Sequence, residues 1–190
     1  MRKTLFAFVF LPFFCFADEQ EIADAINYVS EKSGVDSRVY YSIIDIESNF
    51  KPYSISMVVN SSILKAVSNI SEIYDIKSSR YGKKYLVSVF SNAEDDIIEL
   101  AKALYKFDFN IDMGLMQISK QHVGEGELEY IFNPKYNIIK GNNVLANCVK
   151  KYKVLSQSIE CYNKGFKKNE ALSYYKKFAN SFNGHFGSSK

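Results

Sequence analysis

The sequence predicts a mainly α single domain with one small β-hairpin excursion, and three observations carry that prediction. Apolar residues recur at three- and four-residue spacing in one stretch after another, and most of those stretches carry a capping residue, a proline or a glycine at an end. About 170 residues remain after an N-terminal leader, enough for one real core. Only the segment from Ile70 to Phe90 shows partial alternation at a period of two. No internal repeat, low-complexity tract or long linker divides the chain.

Residues 1–17 read as an export signal. Arg2 and Lys3 form a short positive region, Leu5 to Phe14 is an almost unbroken apolar run, and Cys15-Phe16-Ala17 places small residues where a signal peptidase reads. The run is too short to span a membrane comfortably. Phe14, before Cys15, is bulky where a lipid-anchor site requires a small residue. The expectation is cleavage after Ala17, a domain over residues 18–182, a loose Gly- and Ser-rich tail over 183–190, and a periplasmic protein with no membrane span.

Export changes the charge and cysteine arithmetic. The chain has 24 basic and 21 acidic residues; without Arg2 and Lys3 the net charge falls to +1, which argues against an electrostatic nucleic-acid binder. Cys148 and Cys161 remain, and two cysteines in an exported chain suggest one disulfide. Cys148 also continues the apolar face of its own helix, so a buried thiol is the alternative. His122 and His185 stand far apart without companions, so no metal site is expected, and nothing calls for a cofactor.

Asp18 to Ser33 places Ile22, Ala25, Ile26 and Val29 on one side and reads as an amphipathic helix ended by Gly34. Asp36 or Ser37 caps the next helix, in which Tyr40, Ile43, Ile44 and Phe50 share a face. Glu47 falls in the middle of that face. Pro52 disfavours helical geometry at Lys51, so the helix should end near Phe50, with Glu47 in its last turn opposed by the helix dipole. Dehydration and the dipole both favour the neutral acid, and a carboxyl group protonated near neutral pH can act as a general acid. A lone Glu at a helix end more often keeps its head in water, so this placement alone assigns nothing.

Residues 53–91 are the least regular. Ile63 to Val67 can form a short helix, and Tyr85 to Phe90 alternates after a turn at Arg80-Tyr81-Gly82-Lys83, which suggests a two-stranded hairpin. Asn92 should cap a helix over Ala93 to Phe107, whose first turn holds Glu94, Asp95 and Asp96. Asn133-Pro134 opens a helix that runs to Tyr152 on Ile138, Gly141, Leu145 and Cys148. Ser156 to Tyr162 reads as a short helix stopped near Gly165, and Asn169 should cap a last one through Phe182.

Between two of these helices lies Asp112-Met113-Gly114-Leu115-Met116-Gln117-Ile118. Gly114 permits close backbone approach, and Gln117 within an apolar run needs a partner. A core turn with one satisfied amide would read the same way.

Taken in order, several segments are similar to the soluble lytic transglycosylase family. Glu47-Ser48-Asn49-Phe50-Lys51-Pro52 resembles its Glu-Ser-x-Phe-x-Pro motif, and Gly114-Leu115-Met116-Gln117-Ile118 its Gly-Leu-Met-Gln-Ile motif. Asn133-Pro134 and Tyr136-Asn137-Ile138 with Gly141 follow. Cys161-Tyr162-Asn163-Lys164-Gly165 stands where Ala-Tyr-Asn-x-Gly is usual. The likeness is closest to small exported enzymes that accompany type IV secretion and related envelope-spanning machines, which also carry an acidic-capped helix before an Asn-x-Asp-x-Gly-Leu stretch.

The resemblance implies a lysozyme-like fold of goose-type or SLT character and a groove for peptidoglycan glycan strands. It implies Glu47 as the catalytic acid, with Ser48, Gly114, Met116 and Gln117 lining the sugar site. Tyr162 would hold the catalytic carboxyl group, and Asn163 would bond an N-acetyl group. Partners would include components of a secretion complex. In the family's chemistry one carboxyl group protonates the glycosidic oxygen and then accepts the proton of the muramic acid 6-hydroxyl. Asp45, two residues from Glu47, points elsewhere, and Asp112 before a tight turn suits an Asx-type hydrogen bond, so neither is a strong second carboxylate. A water-using muramidase and a glycan-binding assembly factor with vestigial catalysis are the rival readings.

Overall fold

A computed structural model describes residues 16–167 and 170–187. The described residues form seven α-helices, a five-stranded antiparallel sheet and two single-turn 3-10 helices, Lys120–His122 and Glu125–Glu127. Two helices open the chain, α1 (Phe16–Ser33) and α2 (Ser37–Ser48). Strand β1 (Ser54–Val59), helix α3 (Ser61–Ser68) and strands β2 (Asp75–Tyr81) and β3 (Lys84–Phe90) follow. Then come α4 (Glu94–Lys106), the short strands β4 (Ile111–Met113) and β5 (Ile118–Ser119), and the helices α5 (Pro134–Tyr152), α6 (Leu155–Lys164) and α7 (Ser173–Phe186).

The helical core forms where the apolar stripes require it. Ile22, Ile26 and Val29 of α1, Tyr40, Ile43 and Ile44 of α2, and Ile138 and Leu145 of α5 are buried together. Each fully buried aliphatic side chain contributes roughly 1.5–3 kcal/mol. α5 packs between α1 and α6, and α2 packs along α7. Tyr40 joins these layers through a polar tip, its hydroxyl donating to Asn142 Oδ1 at 2.7 Å. The caps are chemical: Asp36 accepts from Arg38 N at 2.9 Å and Asn133 from Tyr136 N at 3.1 Å.

Four boundaries differ from the sequence expectation. α2 stops at Ser48 rather than near Phe50, because Asn49 and Phe50 take left-handed backbone at φ 50° and 59°. Ala93, not Asn92, is the N-cap residue of α4; its own N–H bonds Ser91 Oγ at 3.0 Å and no side chain caps the helix. α7 follows Leu172 and continues to Phe186, one turn into the tail that the composition marks as loose. There Phe186 packs on Tyr41 with ring centroids 5.2 Å apart. The expected Asn169 cap, the leader up to residue 15 and residues 188–190 lie outside the described residues.

The sheet is larger than a hairpin. Its order is β2-β3-β1-β4-β5, so the expected β2–β3 hairpin, turned at Gly82 (φ 60°), is joined by three further strands. Ser54–Val59 alternates only over Ser54-Ile55-Ser56-Met57 before ending on two valines, yet both its edges are paired, to β3 and to β4. Four alternating residues do not name their partners, which lie far away in sequence. One face carries Val87, Val89, Ile55 and Met57 into the core. The other holds the register-matched row Ser119, Asp112, Ser56, Ser88 and Lys77, with Ser56 and Ser88 hydroxyls 3.1 Å apart.

Candidate active site

The left-handed pair Asn49-Phe50 turns the chain away just after Glu47, leaving that side chain at the foot of α2, where α6, α7 and β4 converge. The Tyr174 hydroxyl donates to Glu47 Oε1 at 2.6 Å, and the Asn163 side chain also bonds the carboxyl group. Loss of surrounding water pushes the Glu47 pKa up to about 7; the Tyr174 bond opposes that, the charge of Asp112 adds to it, and Lys177 and Asn163 oppose it. Glu47 can therefore exist as acid or carboxylate near neutral pH. Asp45 faces the other way, accepting from Ser181 Oγ at 2.6 Å with His185 Nε2 at 3.4 Å.

The Gly-Leu-Met-Gln segment forms the turn between β4 and β5. Gly114 has φ 74°, and a Cβ there would lie 2.2 Å from Asn137 Nδ2 and 3.0 Å from the Ile131 carbonyl oxygen. Asn137, fully buried on α5, clamps the turn: its amide donates to Met113 O (3.0 Å) and Ile131 O (2.8 Å) and accepts from Met116 N (2.8 Å). Gly141 leaves room for Met116, since a Cβ on it would fall 2.3 Å from the Met116 sulfur.

Gln117 bears two local costs. Its φ is 46°, and its Oε1 has no hydrogen-bond partner among the described residues. Its amide nitrogen donates to Ser54 Oγ at 3.0 Å and Gly114 O at 2.8 Å, which fixes the side chain with its oxygen buried.

Several expected site residues hold the structure rather than face a ligand. Ser48 is buried and its hydroxyl donates to Ile44 O at 3.2 Å, a turn back along its own helix. Met116 is fully buried against Gly141, and Gly114 is enclosed by the Asn137 clamp, so neither side of the turn's apolar half is open. Tyr162 does not hold Glu47. Its hydroxyl donates to Met116 O at 2.6 Å, while its ring stacks on Tyr174 at 6.5 Å. The order of α6 explains this: Tyr162 points toward the turn and Asn163, the next residue, toward the carboxyl group. Asn163 is exposed, whereas Gln117 is only partly so and its Oε1 is buried.

Sequence reasoning missed Tyr174 and Lys177. Tyr174-Tyr175 lies four and three residues before Phe178, which marks an apolar stripe, and a tyrosine on such a stripe needs a partner for its hydroxyl. That need was the available signal; the partner, 127 positions away, was not. Asp112 is closer to the chemistry than an Asx turn would place it. It pairs across the sheet with Ser56 and Ser119, and burial raises its pKa while a Ser119 hydrogen bond opposes the rise.

Cys148 and Cys161 are joined as a disulfide that ties α5 to α6 next to Tyr162. Among the described residues, no group of three or more His, Cys, Asp and Glu could hold a metal, and no helix is long and apolar enough to cross a membrane. A cavity of about 580 Å³ opens between α1, α2 and the end of α7, lined by Ile22, Ile26, Tyr41, Asn49, Phe50 and Phe186 among others; Glu47 is not in its wall.

Residues 24–182 match the family model described as "Transglycosylase SLT domain", a span that includes Glu47, Asp112, Gln117, Asn163 and Tyr174. No curated protein and no solved structure matches the chain.

Proposed function

The chain belongs to the transglycosylase SLT domain family, and on that footing we propose that it is an exported, periplasmic enzyme that forms 1,6-anhydro-muramic acid ends. Members of that family are lytic transglycosylases, whose substrate is peptidoglycan. The finer reading concerns the bond and the product: cleavage of the β-1,4 link between N-acetylmuramic acid and N-acetylglucosamine without water. A single observation supports it most, namely the carboxyl group of Glu47, which a phenol holds at 2.6 Å and whose pKa burial pushes up to about 7.

Protonated Glu47 gives its proton to the glycosidic oxygen as the bond to muramic acid C1 breaks, and positive charge develops at C1. The 6-hydroxyl oxygen of the same sugar then bonds C1, and its proton passes to the Glu47 carboxylate, which restores the acid. The Tyr174 hydroxyl stabilises the carboxylate between the two half-steps. The exposed Asn163 offers its amide to the sugar's N-acetyl group.

Asp112 favours a second reading. Its charge acts on Glu47, and a carboxylate near the acid could activate water, as in inverting glycosidases. Mass spectrometry of digested sacculi separates the two, since the anhydro product lacks one water. The expected result is anhydro product from the parent protein and none from Glu47→Gln. Equal solubilisation by both proteins would end the assignment of Glu47 as the acid, and release of no fragments by either would leave a glycan-binding role. Service to a type IV secretion apparatus or a related envelope-spanning machine, by local opening of the wall, is the biological setting we propose.

A further inference from the structure

We propose that Glu160 is a positioning residue for Glu47, acting through the first turn of the helix that bears Tyr174. The inference rests on the reading of Glu47 as the acid. Glu160 lies on α6 and is 1% exposed, a burial rare for a carboxyl group without fixed partners. Its Oε2 accepts the backbone N–H of Tyr174 at 2.8 Å and of Tyr175 at 2.9 Å.

Those two amides are among the donors that a helix start leaves without an internal partner. A residue such as Ser or Asp at the N-cap would ordinarily take one of them, but the residue there is Leu172, at φ 46° and with no side-chain cap. The cap of α7 therefore comes from another helix. A carboxyl group at this end also matches the helix dipole.

The consequence lies in which residue is capped. Tyr174 gives its backbone N–H to Glu160 and its hydroxyl to Glu47, so one residue connects two carboxyl groups. A local cap would fix α7 only to its own loop; Glu160 fixes it to the helix that also presents Tyr162 to the Met116 carbonyl and Asn163 to Glu47. Without that anchor the first turn frays, and the 2.6 Å phenol–carboxyl contact is lost or lengthened.

The groups acting on Glu47 are Asp112 from β4, Tyr174 and Lys177 from α7, and Asn163 from α6; Tyr162 of α6 senses its charge. Tyr174 is faced by Glu47, Tyr162 and Glu160. Of these, the Tyr174 bond is the one that Glu160 controls, and it favours the ionised carboxylate. Losing it raises the Glu47 pKa, keeps the acid protonated to higher pH and moves the alkaline limb of the rate profile upward.

The test is kcat/KM against pH on solubilised glycan strands for the full-length mature protein, Glu160→Ala, Glu160→Gln, Tyr174→Phe, Glu160→Ala with Tyr174→Phe, and Glu47→Gln. Glu160→Ala should lower turnover about tenfold through misplacement of the acid and shift the alkaline limb upward by about half to one pH unit. Glu160→Gln keeps an acceptor oxygen and should fall between Glu160→Ala and the parent. The double variant should shift no further than Tyr174→Phe alone.

A limb unchanged in Glu160→Ala, whatever its melting temperature does, overturns the proposal. If that variant does not fold, the isosteric Glu160→Gln decides, and a limb identical to the parent's is the refuting result. Full activity of Glu47→Gln would instead refute the acid assignment and this inference with it; an inactive Glu47→Gln beside unmoved Glu160 limbs would refute the positioning role alone.

Discussion

Two tyrosines stack within the site, and only one of them bonds the carboxyl group. Tyr162 spends its hydroxyl on the Met116 carbonyl and Tyr174 on Glu47. The resemblance of Cys161-Tyr162-Asn163-Lys164-Gly165 to the family's Ala-Tyr-Asn-x-Gly motif made Tyr162 the candidate. Tyr174 sits in a helix whose stripe is readable but whose target is not. The two substitutions should therefore separate. Tyr174→Phe removes a bond to a charged group, worth about 1.5–3 kcal/mol, so the alkaline limb of kcat/KM should move up by about one to two pH units. Tyr162→Phe removes a neutral bond to the turn and should lower kcat/KM with the limb within about 0.3 unit of the parent's. The pH profiles of the two single variants check this, and a larger shift in Tyr162→Phe would reverse the assignment.

At the scale of elements, the helices were legible because each has an apolar stripe and a local stop signal. Of the sheet only the β2–β3 hairpin was legible, since β4 and β5 are two or three residues long and β1 owes its pairing to strands far away in sequence. The Gly-Leu-Met-Gln turn was legible as a pattern, while its function was read too simply. Gly114, Met116 and the facing Gly141 do not meet solvent; they seat the turn on α5 and leave the buried Gln117 Oε1 without a hydrogen-bond partner among the described residues. Gly141→Ala tests that view, because its Cβ would collide with the Met116 sulfur and overpacking of this kind costs roughly 1–3 kcal/mol. The expected outcome is a lower urea midpoint with an unchanged m-value, together with reduced turnover on sacculi as the turn shifts. Unchanged midpoint and turnover would show that Met116 has room to move and that the seating of the turn is not tight.

At the scale of the whole molecule, a carboxyl group tuned for chemistry works against folding. In the unfolded chain Glu47 ionises at its ordinary value of 4.5; in the folded protein it does so at about 7. Between those values the folded state holds a proton that the unfolded state has released, so stability falls as pH rises through the window. Above pH 7 the loss is complete and amounts to at most on the order of 3 kcal/mol, less where the partly exposed head still meets water. Burial raises Asp112 as well, which adds a fall of the same sign. Subtracting one stability curve from the other isolates Glu47, because Glu47→Gln keeps Asp112 and the fold but has no proton to lose. Urea unfolding at a series of pH values from 4 to 8 should show the variant gaining on the parent through this window and exceeding it at pH 8. Parallel curves would mean that Glu47 titrates alike folded and unfolded, and a carboxyl group of that kind could not supply a proton at neutral pH.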